Sequence, residues 1–118
     1  MHNFRELKIW QKGRLLVKEV YDLTKQLPNE ETFGLTSQIR RASVSIPSNI
    51  AEGAGRGSDK DFNRFLDIAY GSCFELETQL ILCVDLKYIS ELEFEPVQIK
   101  IQEIQKMIFA LKSKCKSN

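Results

Sequence analysis

The feature that most narrows what this chain can fold into is a repeat of apolar residues at alternating steps of four and three. Phe62, Leu66, Ala69, Cys73, Leu76, Leu80 and Cys83 keep it without a break, and Val97, Ile101, Ile104, Ile108, Leu111 and Cys115 take it up again. Residues so spaced line one stripe of an α-helix, and the heptad alternation suits helices packed at a shallow angle against neighbours. A strand needs period two, and no segment sustains that alternation between turn dipeptides.

Two more segments share the helical period. Between Phe4 and Leu27, residues Leu7, Ile9, Trp10, Leu16, Val17, Val20, Tyr21, Leu23 and Leu27 fall on one broad arc, opposite Lys8, Lys12, Lys18, Glu19 and Asp22. Pro28 follows, then a PNEE turn whose acids suit a helix N-terminus, then Leu35, Ile39, Ala42, Ile46 and Ile50 at steps of four, three, four and four. Ser90 and Glu93 are spaced as a capping box ahead of the last segment. The pattern predicts an all-α fold: an up-and-down four-helix bundle in one domain, residues 1–118, with a fraying lysine-rich tail at 113–118.

A chain of 118 residues, 42% hydrophobic, is the size of one domain with a single core. Lys and Arg number 17 against 16 Asp and Glu, so the whole surface is not built to grip a polyanion, and any nucleic-acid site must be local or made by assembly. Cys73, Cys83 and Cys115 stand far apart with His2 as the only histidine, which predicts reduced core thiols, no metal and no cofactor. The longest apolar run, LILCV at 80–84, is far short of a membrane span, and the expected setting is the cytoplasm.

The stretch SIPSNIAEGAGRGSDKDF, residues 45–62, has glycines where a phosphate-binding loop might be sought. A nucleotide fingerprint needs a preceding strand, whereas Gly53, Gly55 and Gly57 follow a helical segment and Ser58 stands where the third glycine belongs. The spacing therefore predicts a corner between helices, with Gly53 in the left-handed C-terminal position and Ser58 capping the next helix ahead of Asp61. Pro47, inside the periodic run, should bend the second helix.

Beside the apolar face of that helix runs a polar stripe of Gln38, Arg41, Ser45, Asn49 and Glu52, and the third helix offers a matching set in Ser72, Glu75 and Gln79. The plain reading is a solvated flank with local hydrogen bonds. The sharper one is a subunit contact, because polar groups so closely interspersed with Ile46 and Ile50 must find partners.

FGLTSQIRRASVSIPSNIAEGAGR, DFNRFLDIAYGSCFELETQL and LKYI together resemble a bacterial four-helix bundle family, the proteins encoded in intervening sequences of large-subunit ribosomal RNA genes. The resemblance spans nearly the whole chain. It implies a left-handed bundle assembled as a homopentameric barrel. A related branch, the accessory proteins of diversity-generating retroelements, binds a reverse transcriptase and nucleic acid but is more basic than this chain.

The first functional expectation is a non-catalytic module for RNA or a ribonucleoprotein. Its phosphate contacts would come from Arg5, Lys8 and Lys12 on helix one, from Arg40 and Arg41, and from Arg56, Lys60 and Arg64 at the corner. DNA is a second possible ligand. Arg41 could instead pair with Glu52 or Glu75 of a neighbouring copy. The alternative is a protein-interaction scaffold that binds no nucleic acid, with Trp10, Tyr70 and Tyr88 as contacts if they are not core. An enzyme is disfavoured: no nucleophile lies beside a plausible base, Glu75 and Glu77 face different ways, and Asp59, Asp61 and Asp67 read as helix-end charges.

Overall fold

The computed structural model describes residues 2–115. A one-turn 3-10 helix, Phe4–Glu6, precedes α1, Lys8–Thr24. A second, Asn29–Glu31, precedes α2, Leu35–Ala54, and then come α3, Asp59–Asp85, and α4, Glu91–Lys114. Each helix packs against the two beside it in the order α1, α2, α3, α4 and back to α1, while diagonal pairs stay apart. The described residues form one four-helix bundle of 46 × 24 × 22 Å without a strand.

The core is the set of residues that the apolar repeat had marked. Leu66, Ala69, Cys73, Leu76, Leu80 and Cys83 of α3 are wholly buried, as are Ile39, Ile46 and Ile50 of α2 and Ile101 and Ile108 of α4. Each large aliphatic side chain so buried contributes roughly 1.5–3 kcal/mol. Burial, and secondarily the Glu77 charge, pushes the Cys73 thiol up to about 12, and burial followed by Glu31 takes Cys83 to about 11. Neither is a thiolate near neutral pH, so neither is poised as a nucleophile.

The first helix is shorter than the period suggested. Leu7 is extended at φ −75°, ψ 125°, which parts the Phe4–Glu6 turn from α1. Thr24 closes the other end, and Leu27 stays buried beyond it. Glu31 fulfils the role expected of the PNEE acids from a distance: its Oε1 accepts from the Leu35 amide at 3.1 Å, and its Oε2 accepts from the Tyr88 hydroxyl at 2.9 Å. One carboxylate thus caps α2 and ties it to the α3–α4 connection.

The corner departs from expectation at Gly53. It is not a left-handed cap: α2 continues to Ala54, Gly55 closes it at φ −82°, and no glycine has positive φ. Gly53 is instead a site of close helix approach, where an added Cβ would lie 2.7 Å from the Phe65 Cβ and 3.3 Å from the Phe62 carbonyl oxygen. Gly55, Arg56, Gly57 and Ser58 make the turn, and Ser58 Oγ accepts from the Asp61 amide at 3.2 Å, as the spacing predicted. Pro47 lies inside α2. The capping box forms in full: Ser90 Oγ accepts from the Glu93 amide at 3.1 Å, and Glu93 Oε1 accepts from the Ser90 amide at 3.0 Å. α4 runs through Lys114 and Cys115 is buried, while residues 116–118 of the expected tail lie outside the described set.

No helix of the described residues is long and apolar enough to cross a membrane, and among those residues no group of three acids, histidines or cysteines could hold a metal ion.

Candidate nucleic-acid interface

The antiparallel order of the helices brings three segments distant in sequence to one end of the bundle: the start of α1, the α2–α3 corner and the end of α4. The backbone joins the first two directly, since the His2 amide donates to the Ala54 carbonyl at 2.8 Å. Of the cations expected to meet phosphates, Arg5, Lys8, Arg56, Lys60 and Arg64 all belong to this end. Lys112 and Lys114 arrive with them from α4, and neither was among the cations expected to meet phosphates.

Phe65 organises the corner. Arg56 and Arg64 each place their guanidinium 4.8 Å from its ring centroid, and the ring is buried beneath them. Cation–π contact of this kind holds both side chains by their flat faces and leaves N–H groups at the rim for anions. Each arginine also has an acid within its own chain: Arg56 Nη2 lies 2.8 Å from Glu52 Oε2, and Arg64 Nη2 lies 3.8 Å from Asp61 Oδ1. These are exposed helical pairs worth at most about 1 kcal/mol, so a phosphate can compete with them. Lys112 pairs with Asp67 and lies 5.1 Å from the Tyr70 ring. Lys8 and Lys60 are exposed, with no carboxylate within 4 Å among the described residues.

The other sequence-derived cations sit elsewhere. Lys12 bridges α1 to α4 through Glu103 at 3.1 Å. Arg40 lies at the opposite end of the bundle, where its Nε donates to Thr24 Oγ1 at 3.0 Å, its Nη2 donates to the Tyr21 carbonyl at 3.3 Å, and the guanidinium rests 4.5 Å over the Tyr21 ring. It closes the C-terminus of α1, satisfying a carbonyl that the helix leaves orphaned. Arg41 is exposed on the outer face of α2, with neither Glu52 nor Glu75 in reach within its own chain.

The polar stripe is the seam between α2 and α3. Ser45 Oγ lies 2.9 Å from Ser72 Oγ across the seam, and Asn49 Nδ2 donates to both the Ser45 carbonyl, at 2.8 Å, and Ser45 Oγ, at 2.9 Å. Glu52 is engaged by Arg56, while Gln38 and Glu75 are exposed. Gln79 stands apart: its residue is 7% exposed, yet its Oε1 is buried with no donor. A second polar group on the neighbouring seam was not anticipated. Glu77 of α3 accepts from Gln98 at 3.2 Å, Gln102 at 3.0 Å and Gln105 at 2.9 Å, all of α4. The glutamines' one-face spacing was legible in the sequence; the carboxylate they surround was not.

With this geometry in view, known proteins bear on identity. Among curated proteins no significant match is found. Among solved structures, a protein of unknown function from the S23 ribosomal protein family of Bacteroides thetaiotaomicron VPI-5482 superposes with a TM-score of 0.82 at 28% identity. The alignment covers 88% of this chain and 97% of that one. The family profile described as 23S rRNA-intervening sequence protein matches residues 5–110, nearly the whole bundle, and the chain belongs to that family.

Proposed function

We propose that this protein is a non-catalytic, homo-oligomeric helical bundle that binds RNA, or a ribonucleoprotein, through the basic end of the bundle, in the cytoplasm. The observation that carries the reading is the convergence of Arg5, Lys8, Arg56, Lys60, Arg64, Lys112 and Lys114 from three separate segments in a chain whose net charge is only +1. Arg56, Arg64 and Lys112 have an acid of their own chain beside them, while Lys8 and Lys60 have none within 4 Å among the described residues. The opposite end is acidic by contrast, with Glu30 and Glu31 in the second 3-10 turn, Asp85 at the close of α3, and Glu91, Glu93 and Glu95 at the start of α4, against Lys25, Arg40 and Lys87. A molecule polarised in this way presents a polyanion with one attractive face.

The finer part of the reading is assembly as a homopentameric barrel, which the family resemblance implies. In support, Gln38, Arg41 and Glu75 stand exposed along the α2–α3 seam, where a second copy could meet them. A five-fold ring would repeat the basic end five times, so that weak local contacts act together.

The test is fluorescence anisotropy against structured RNA, single-stranded DNA and duplex DNA at about 50 and 200 mM salt, where phosphate contacts separate strongly. Binding should weaken steeply between the two salts. The pair Lys8→Glu and Lys60→Glu, which breaks no side-chain hydrogen bond or ion pair among the described residues, should lower affinity while leaving oligomer mass unchanged. Absence of binding at the lower salt overturns the proposal and moves weight to a protein scaffold. One observation favours that second reading: a concavity of about 510 Å³ between α3 and α4, lined by Ile81, Phe94 and Ile99 together with Asp85, Glu91 and Glu95, offers an apolar and acidic surface to a polypeptide.

A further inference from the structure

The basic end includes a pocket in which Arg5 meets four residues outside the phosphate-contact set. Phe4, Arg5, Trp10, Gln11 and Arg14 line a concavity of about 680 Å³ where the first 3-10 turn meets α1. The Phe4 and Trp10 rings meet edge to face, with centroids 5.0 Å apart and planes at 72°, so one forms a floor and the other a wall. Both are only partly buried. Arg5 lies 5.7 Å from the Phe4 centroid and Arg14 lies 5.6 Å from that of Trp10, near the outer limit of a cation–π contact of about 6 Å. The contrast with Phe65 is informative, because two guanidinium groups at 4.8 Å bury that ring, whereas Phe4 and Trp10 keep exposed surface.

The pocket is built before any ligand arrives. Gln11 Nε2 donates to the Arg5 carbonyl at 2.8 Å, the Arg5 amide donates to Asn3 Oδ1 at 3.2 Å, and the His2 amide is tied to Ala54. Its charge is also uncompensated. Among the described residues neither Arg5 nor Arg14 has a carboxylate within 4 Å, and Glu6 is the one acid among the first 18 residues.

We infer that this pocket receives an unpaired base of single-stranded RNA, stacked on Trp10 or Phe4, with Arg5 and Arg14 on the phosphates to either side. The inference rests on the nucleic-acid reading above and narrows it from phosphate contact to single strands. Two crossed aromatic rings between two free guanidinium groups offer every base a π-face and offer its backbone a cation, the arrangement by which single strands are held with little sequence preference. A paired base keeps its faces inside the stack and cannot reach the floor. Gln11 is the one side-chain amide lining the pocket, and an Nε2 hydrogen of it is already given to the Arg5 carbonyl, so discrimination among bases should follow stacking strength first.

Trp10 is the only tryptophan, so the site carries its own reporter. The experiment titrates the full chain with oligoadenylate, oligouridylate, an abasic strand of equal length and duplex RNA, following both tryptophan fluorescence and anisotropy of labelled strands. The base-bearing single strands should quench Trp10, adenylate more than uridylate, and should bind about tenfold tighter than the abasic strand. Trp10→Leu and Phe4→Leu should each remove most of that advantage. Arg5→Gln with Arg14→Gln, which leaves both rings in place, should weaken every strand alike and flatten the salt dependence. Equal binding of the abasic strand, or binding seen by anisotropy without quenching, overturns the stacking site and leaves the phosphate-binding end standing. Anisotropy that does not change with any nucleic acid overturns both.

Discussion

Gly53 decides how closely α2 can approach α3. An alanine there would put its Cβ 2.7 Å from that of Phe65, against a backbone carbonyl and a ring held under two arginines, none of which can easily give way. Gly53→Ala is expected to destabilise the fold by about 1–3 kcal/mol, the usual cost of overpacking. Gly71, on the open face of α3, is its control, since nothing lies within 4 Å of an added Cβ, and Gly71→Ala should gain about 0.5–1 kcal/mol from lower backbone entropy. Urea unfolding of the two variants checks both signs, and a neutral Gly53→Ala would show that the approach is slack. The same residue marks a limit of reading from sequence. A glycine at the end of a periodic run can serve a left-handed cap or a close contact, and only the position of Phe65, twelve residues on and across a corner, separates the two. Arg40 was opaque for the same reason: nothing local reveals that its partners are Thr24 and the Tyr21 carbonyl.

Among the elements, the helices were legible and their ends were less so. The four-and-three alternation in α3 and α4 depends on period alone, which is why nearly every residue it named is buried. Capping by Ser58 and by Ser90 with Glu93 was also legible, because each is a contact within one turn. The close of α3 was not. It is a Schellman motif in which the Tyr88 amide reaches the Cys83 carbonyl at 2.9 Å and the Lys87 amide reaches that of Val84 at 3.0 Å, with Lys87 at φ 65° where glycine is usual. Relieving that conformation by Lys87→Gly should raise stability by about 0.5–1 kcal/mol, a net of left-handed strain over glycine's added entropy. A melting temperature that falls instead would mean the lysine side chain holds the turn. At the start of α4, hydrogen bonds from the Ser90 backbone first, and then from the Gln26 and Ser90 side chains, hold the Glu93 carboxyl below the usual carboxylate range. Because the folded state favours its charged form, the stabilisation is present above the ordinary carboxylate range and is lost as pH falls through the lowered value. Urea midpoints at neutral and acid pH should therefore differ less in Glu93→Gln than in the parent, and an identical pH profile would remove Glu93 from the account.

At the scale of the whole molecule, the sequence read as a bundle because each heptad stripe needs neighbours on both sides, and four stripes close on one another. It could not say whether an outer seam meets another copy, since Ser45, Asn49 and Ser72 bond one another within the chain. Gln79 allows the question to be put with opposite signs. Its Oε1 is buried and has no donor in the single chain, a situation that ordinarily costs about 1–3 kcal/mol. If the chain worked alone, Gln79→Leu would replace an unsatisfied acceptor by an apolar group of similar size, and stability should rise with molecular mass unaffected. If the α2–α3 seam is the subunit contact, assembly would turn the Gln79 amide outward to a donor on a neighbouring copy; the leucine would then leave that donor unpaired in an interface, and the assembly should dissociate toward folded monomers. Light scattering and circular dichroism on the variant, at micromolar concentration, separate the cases. The oligomeric reading expects the second result, loss of mass with helicity retained, and a stabilised variant of unchanged mass would move the subunit contact to another face of the bundle.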